Sequence, residues 1–193
     1  MSLDDQFADF ITRIRAGDHS AAEELVRTFE PVVRREIRMN MTDRRMARMF
    51  DSVDICQSIW SSFFVRVAAG QFDLESPNQL TNLLMAMARN KLAFQSRRHR
   101  YQKRDVGRID PAGVPIESIS DQQPTPSDCA SVRELYSKMQ SNLTDEERQI
   151  SELRRTGLAW EEIATTLGGT AQARRMQLDR AADRVIRQMG LEK

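Results

Sequence analysis

Apolar residues recur along this chain at three- and four-residue steps, and almost nowhere in the strict alternation of a half-buried strand. Leu3, Phe7, Phe10, Ile11 and Ile14 share one face of a first helix, closed by Gly17-Asp18. Ala22, Leu25, Val26, Phe29, Val33 and Ile37 form the stripe of a second, from about His19 toward Met41, in which Pro31 predicts a bend or a new segment. Residues 40–50 are basic and methionine-rich and are assigned to no element. A third helix starts near Asp51, a good N-cap, and runs to about Ala69 on a stripe of Val53, Cys56, Trp60, Phe63 and Val67. After a loop from Gly70 to Glu75, Ser76-Pro77 opens a fourth helix, with serine as cap and proline in the first helical position. It reaches Arg104, about 42 Å away at about 1.5 Å per residue. Further on, Leu135 and Met139 mark a helix, and Thr144-Asp145-Glu146-Glu147 is a capping box for the next, which carries Ile150 and Leu153. Trp160, Ile163, Ala164 and Leu167 give a short helix that Gly168-Gly169 breaks, since glycine accepts the backbone angles of a tight turn. Thr170 caps the last one, whose apolar line is Leu178, Ala181 and Val185. The expected class is all-α: two small helical domains, 1–104 and 132–193, joined by a flexible linker at 105–131.

Composition changes this picture little but excludes much. With 193 residues, 40% apolar and 30% charged, the chain can bury real cores. No apolar run approaches the roughly 18 residues of a membrane span, and the acidic start MSLDDQFADF lacks the regions of a signal peptide. Cys56 and Cys129 have no metal-ligand spacing and read as free thiols, which points to the cytoplasm. There is no phosphate loop, no His/Cys cluster and no nucleophile–base pair, and the two histidines sit in a turn (His19) and a basic run (His99). Neither an enzyme nor a cofactor is expected. Asp51 and Asp54 could pair on magnesium, but helix capping and protein docking explain them with less strain.

Charge matters through its distribution. The total is +1, yet residues 1–104 hold 17 Lys+Arg against 13 Asp+Glu, residues 105–131 hold one against five, and residues 132–193 hold 11 against 10. The acidic middle carries four of the six prolines and reads as a linker that, fully extended, reaches at most roughly 90 Å. Within the fourth helix, Arg89, Lys91, Arg97, Arg98, Arg100, Lys103 and Arg104 occur without one acid, interleaved with Phe94, His99 and Tyr101. Seven uncompensated cations exceed what a helix C-terminus requires, and together with the rings they make a phosphate-tracking surface with stacking platforms. The end of the chain has helix, glycine turn and arginine-bearing helix, the pattern of a helix-turn-helix.

Asp51-x-x-Asp54-x-x-Gln57 followed by Ile59 and Phe63, Ala88-Arg89-Asn90 ahead of the basic run, and LTDEERQISELRRTGLAWEEIATTLG occur in that order along the chain. In these motifs the sequence resembles bacterial RNA polymerase sigma factors of the extracytoplasmic-function type, over nearly its whole length. The resemblance implies a transcription initiation factor without covalent chemistry of its own. It implies that Asp51, Asp54, Gln57, Ser58 and Ser61 bind core RNA polymerase, whose clamp helices and flap are the partner surfaces. Asn78, Arg89, Asn90, Lys91, Arg97, Arg98, Arg100 and Tyr101 would read and melt the −10 element, with a flipped base received within Gln71 to Asn78. Thr170, Gln172, Arg174, Arg175, Gln177 and Arg180 would contact the −35 element. Partners are then the core polymerase and double- and single-stranded promoter DNA. Many family members are also held by an anti-sigma protein, and no membrane is implied.

Four positions depart from the family pattern. Ser58 replaces a common glutamate, and Ala159 replaces a serine cap at a cost of about 1 kcal/mol. In the last helix Arg174 and the small Ala171 occupy usually apolar, inward positions. Either that helix rotates, bringing Ala173 and Met176 inward, or its contact surface is reorganised. A rival reading is a stand-alone helix-turn-helix regulator with a helical sensor or dimerisation domain, and another is a degenerate family member that starts no transcripts.

Overall fold

The computed structural model describes residues 3–41, 52–105 and 126–191, with side chains described for 5–41, 53–97 and 134–191. Among the described residues the protein is all-helical, with eight helices: α1 (Leu3–Arg15), α2 (His19–Asn40), α3 (Ser52–Ala68), α4 (Pro77–Asp105), α5 (Pro126–Ser141), α6 (Asp145–Arg155), α7 (Trp160–Leu167) and α8 (Ala171–Gln188). No described helix is long and apolar enough to cross a membrane. Asp51 lies outside the described residues, and α5 begins at Pro126, inside the stretch read as linker.

The helix starts follow their capping chemistry. Asp18 accepts the Ala21 N–H at 3.1 Å to begin α2, and Ser76 accepts the Gln79 N–H at 3.3 Å to begin α4. Thr144 and Glu147 form the expected reciprocal box at α6. Pro31 starts no new segment: α2 runs through it unbroken. The missing proline N–H removes one intrahelical bond, while Leu25, Val26, Val33 and Ile37 stay buried on both sides of it.

One core lies between α1, α2, α3 and α4, where Ile11, Leu25, Ile37, Ile55, Phe63, Leu80 and Leu84 are nearly inaccessible. An aromatic group anchors it: the rings of Trp60 and Phe64 each lie close to Phe63, and Phe72 of the following loop stacks on Phe63 at 6.1 Å. A second core is built from α5 to α8 around Met139, Ile150, Trp160, Ile163, Leu178 and Val185. It also takes Val65 and Ala68 from α3 and Ala69 just beyond it. The single-stripe expectation for α3 is therefore too narrow. Val53, placed in the stripe, is 36% exposed, whereas Ile55 is buried in the first core, and Phe64, Val65, Ala68 and Ala69 are buried because the end of the helix is packed on two sides.

Candidate nucleic-acid interface

α7 and α8 form the helix-turn-helix through Gly168 and Gly169, whose φ angles of 77° and 85° lie where a side chain would be strained. Thr170 accepts the Ala173 N–H at 3.1 Å, and Glu162 accepts the Ala159 N–H at 2.8 Å, so half a capping box survives without the serine. Leu178, Ala181, Ala182, Val185 and Ile186 face the core, while Ala173 and Met176 point outward. The helix has not rotated. Arg174 keeps the inward position, its side chain only 13% exposed.

The guanidinium of Arg174 is satisfied there by the ends of two other helices. It donates to the carbonyls of Gly168 at 2.8 Å and Leu167 at 2.7 Å, which the end of α7 leaves without intrahelical partners. It also reaches the Glu146 carboxylate at 2.5 Å and the Gln177 amide oxygen at 2.9 Å, and Gln177 donates to Glu146 at 2.8 Å. The planar fork of five N–H donors lets one arginine do what an apolar side chain does in a packed turn. Hydrogen bonds from Arg174 and then Gln177 hold the Glu146 carboxyl below the usual carboxylate range. Thr170, Gln172, Arg175 and Arg180 remain on the exposed side of α8.

The basic helix α4 has a graded surface. Asn78 is exposed near its start. Arg89 and Asn90 are exposed, but Arg89 is drawn to Glu36 of α2 at 2.9 Å. Asn90, Phe94 and Arg97 fall at i, i+4 and i+7 and so share one face, with Phe94 43% exposed. These three line an open cavity of about 470 Å³ together with Lys91, Arg66 of α3 and Leu191. Arg98, Arg100 and Tyr101 lie on the α4 backbone, with side chains outside the described set.

On α3, Asp54 and Gln57 are exposed and Ser58 and Ser61 half-buried, making one polar edge. Two of the sequence-predicted residues meet the far end of the chain: Ser58 donates to the Leu191 carbonyl at 3.0 Å and Lys91 donates to the same oxygen at 2.5 Å.

The residues that pattern reading missed are Ser151 and Arg154 of α6. Ser151, fully buried, donates to the Ala68 carbonyl at 3.2 Å, and Arg154, 5% exposed, donates to Gly70 at 3.2 Å. Ala68 is the last residue of α3, whose final carbonyls have no helical donors, and Gly70 lies in the turn just after it. Arg154 also pairs with Asp73, donates to the Leu158 carbonyl at 2.6 Å and lies 4.5 Å from the centre of the Trp160 ring. Gln71–Asp179 at 2.8 Å and Arg66–Asp183 at 2.6 Å continue the same seam. No metal-binding group of three His, Cys, Asp or Glu occurs among the described residues. Residues 4–189 match the family model described as ECF sigma factor. No curated protein and no solved structure matches the chain.

Proposed function

This chain belongs to the ECF sigma factor family, and on that premise we propose that it binds core RNA polymerase, recognises −10 and −35 promoter elements and promotes melting between them. The observation that carries the reading is the pairing of two nucleic-acid surfaces of different chemistry in one chain. The α8 face presents Gln172, Arg175 and Arg180, side chains able to donate to purine edges in a major groove. The α4 face presents an amide, a ring and a cation at Asn90, Phe94 and Arg97, suited to unpaired bases and their phosphates. In this proposal Arg174 and Gln177 brace the turn rather than read bases, since Glu146 and the α7 carbonyls engage them. Thr170 and Asn78 flank the two surfaces, and Arg89, Lys91, Arg98, Arg100 and Tyr101 extend the −10 surface. Asp54, Gln57, Ser58 and Ser61, with Asp51 ahead of them, form the edge offered to the polymerase.

The test is transcription by sigma-free core polymerase of the native host on sheared host DNA, with and without the chain. Discrete new start sites sharing two upstream elements are expected. Specific DNA retention by the chain alone, without transcripts, would replace this reading with that of a stand-alone regulator.

A further inference from the structure

The outward face of α8 has an apolar centre. Successive residues of a helix turn by about 100°, so Met176 stands roughly opposite the line of Leu178, Ala181 and Val185 that faces the core. It is 41% exposed, and of the large apolar side chains exposed among the described residues it alone belongs to α5–α8. Ala173, three residues earlier, is exposed beside it, and Gln172 and Arg180, four residues before and after, continue the same ridge. The nearby polar side chains that flank this ridge are engaged elsewhere. Arg174 and Gln177 turn to Glu146, and Asp179 accepts from Gln71 at 2.8 Å. Entering a major groove, α8 would thus meet the base pairs with a methionine in the middle, an alanine beside it, and amide and guanidinium donors at the rim.

The base edges in that groove offer one apolar group. Guanine presents acceptors, adenine an acceptor and a donor, cytosine a donor, and thymine an acceptor beside the methyl group on its C5. A thioether laid on any of the first three displaces water from a polar group and gives it no partner in return. Laid on the thymine methyl, it buries apolar surface on both sides. The unbranched methionine side chain adapts its path to the position of that methyl, and the small Ala173 lets the groove wall come close.

We propose that Met176 is a specificity-determining residue for the upstream promoter element, reading the 5-methyl group of a thymine at the centre of that element, with Gln172 and Arg180 addressing the base pairs on either side. The inference rests on the initiation reading and deepens it. A face made of donors alone would favour purine acceptors throughout, whereas this one calls for an A·T pair in the middle, oriented so that the methyl lies against the thioether.

The experiment uses holoenzyme formed from the full chain and a promoter duplex recovered from its start sites. Each thymine of the upstream element is replaced in turn by deoxyuracil, which removes the methyl group and keeps the pairing. For the wild type, one replacement should weaken binding about fourfold, the worth of one buried methyl group, and the others should have no effect. Met176→Ala, at an exposed position, leaves the core intact. It should weaken binding to the unmodified duplex by a similar factor and no longer respond to deoxyuracil at that position, while Met176→Leu keeps the response. A full response in Met176→Ala, or none in the wild type, would overturn the proposal. So would weaker polymerase binding by Met176→Ala in the absence of DNA, which would make the methionine a protein contact. A duplex bound only after cytosine methylation would assign the methyl to 5-methylcytosine and overturn the thymine assignment. If start sites are absent but the chain alone retains a duplex, the initiation reading fails, and the same replacements in that duplex still decide the methyl contact. If neither holoenzyme nor chain binds any duplex, both readings fall.

Discussion

At the scale of single residues, Arg174 and Arg175 are neighbours with opposite tasks. Arg174 ties the end of α7, the start of α6 and its own helix together, while Arg175 is exposed. Arg174→Ala should therefore lower stability by about 2 kcal/mol, because charged hydrogen bonds inside the fold are lost and the Leu167 and Gly168 carbonyls are left to water. Arg175→Ala should leave the thermal midpoint unchanged and weaken promoter DNA binding about tenfold. Melting and duplex titration of the two variants check both halves of that contrast, and identical behaviour would remove it. Gly70 and Gly157 offer a second matched pair. Both have positive φ, 76° and 90°, but nothing lies within 4 Å of a Cβ at Gly157. Gly157→Ala should cost roughly 1–2 kcal/mol for the backbone alone. Gly70→Ala should cost about 1–3 kcal/mol more, from overpacking against Arg154. Urea unfolding of both variants separates the two contributions.

Individual elements carry predictions of a different kind, about charge. In α4, replacing Arg97, Arg98 and Arg100 with glutamine should reduce promoter opening and shrink the salt dependence of single-strand binding by about two units of log–log slope, at about 0.7 per phosphate released. A slope that stays the same would take these residues off the nucleic acid. At the start of α2, the Asp18 carboxyl is held down to about 2, first by the Ala21 N–H and then by Arg13 and Ser20. Its unfolded value is about 3.9. A depressed carboxyl stabilises above the unfolded value and loses that contribution as pH falls toward the folded one, so the window runs from about pH 4 to about pH 2. Glu147 is shifted the same way by Arg184 and acts alongside it. Asp18→Asn keeps a capping side chain but should flatten the fall in melting temperature across that window. Elements were also what the sequence rendered best. Periodicity and capping residues placed α1, α4 and the helix-turn-helix because those signals are local. The sequence leaves open whether Arg174 stays inward or the helix rotates, and it does not give the partners, since a long side chain's trajectory depends on what the turn leaves unsatisfied. The docking of α6 on α3 was missed although its trace was present: from Ile55 to Ala69 apolar residues occupy more of the circumference than one stripe needs, which marks a helix covered on two sides.

For the whole molecule, the sharing of α3 between both cores couples their stability. The two tryptophans report the halves separately, since Trp60 lies in the first core and Trp160 in the second. Single-tryptophan variants, Trp60→Phe and Trp160→Phe, should give coincident thermal midpoints, as expected of one cooperative unit. Midpoints that differ by many degrees would mean that the seam contributes little to folding. The same sharing bears on how long the protein survives in a cell. When the halves part, the second one leaves behind Val65, Ala68 and Ala69, and what remains is near the size at which a domain holds itself together only marginally. The transiently opened chain is then the form that proteases cleave, in proportion to how often it is populated. Variants that weaken the seam should thus be cleared faster in a cell, in step with the open population they add.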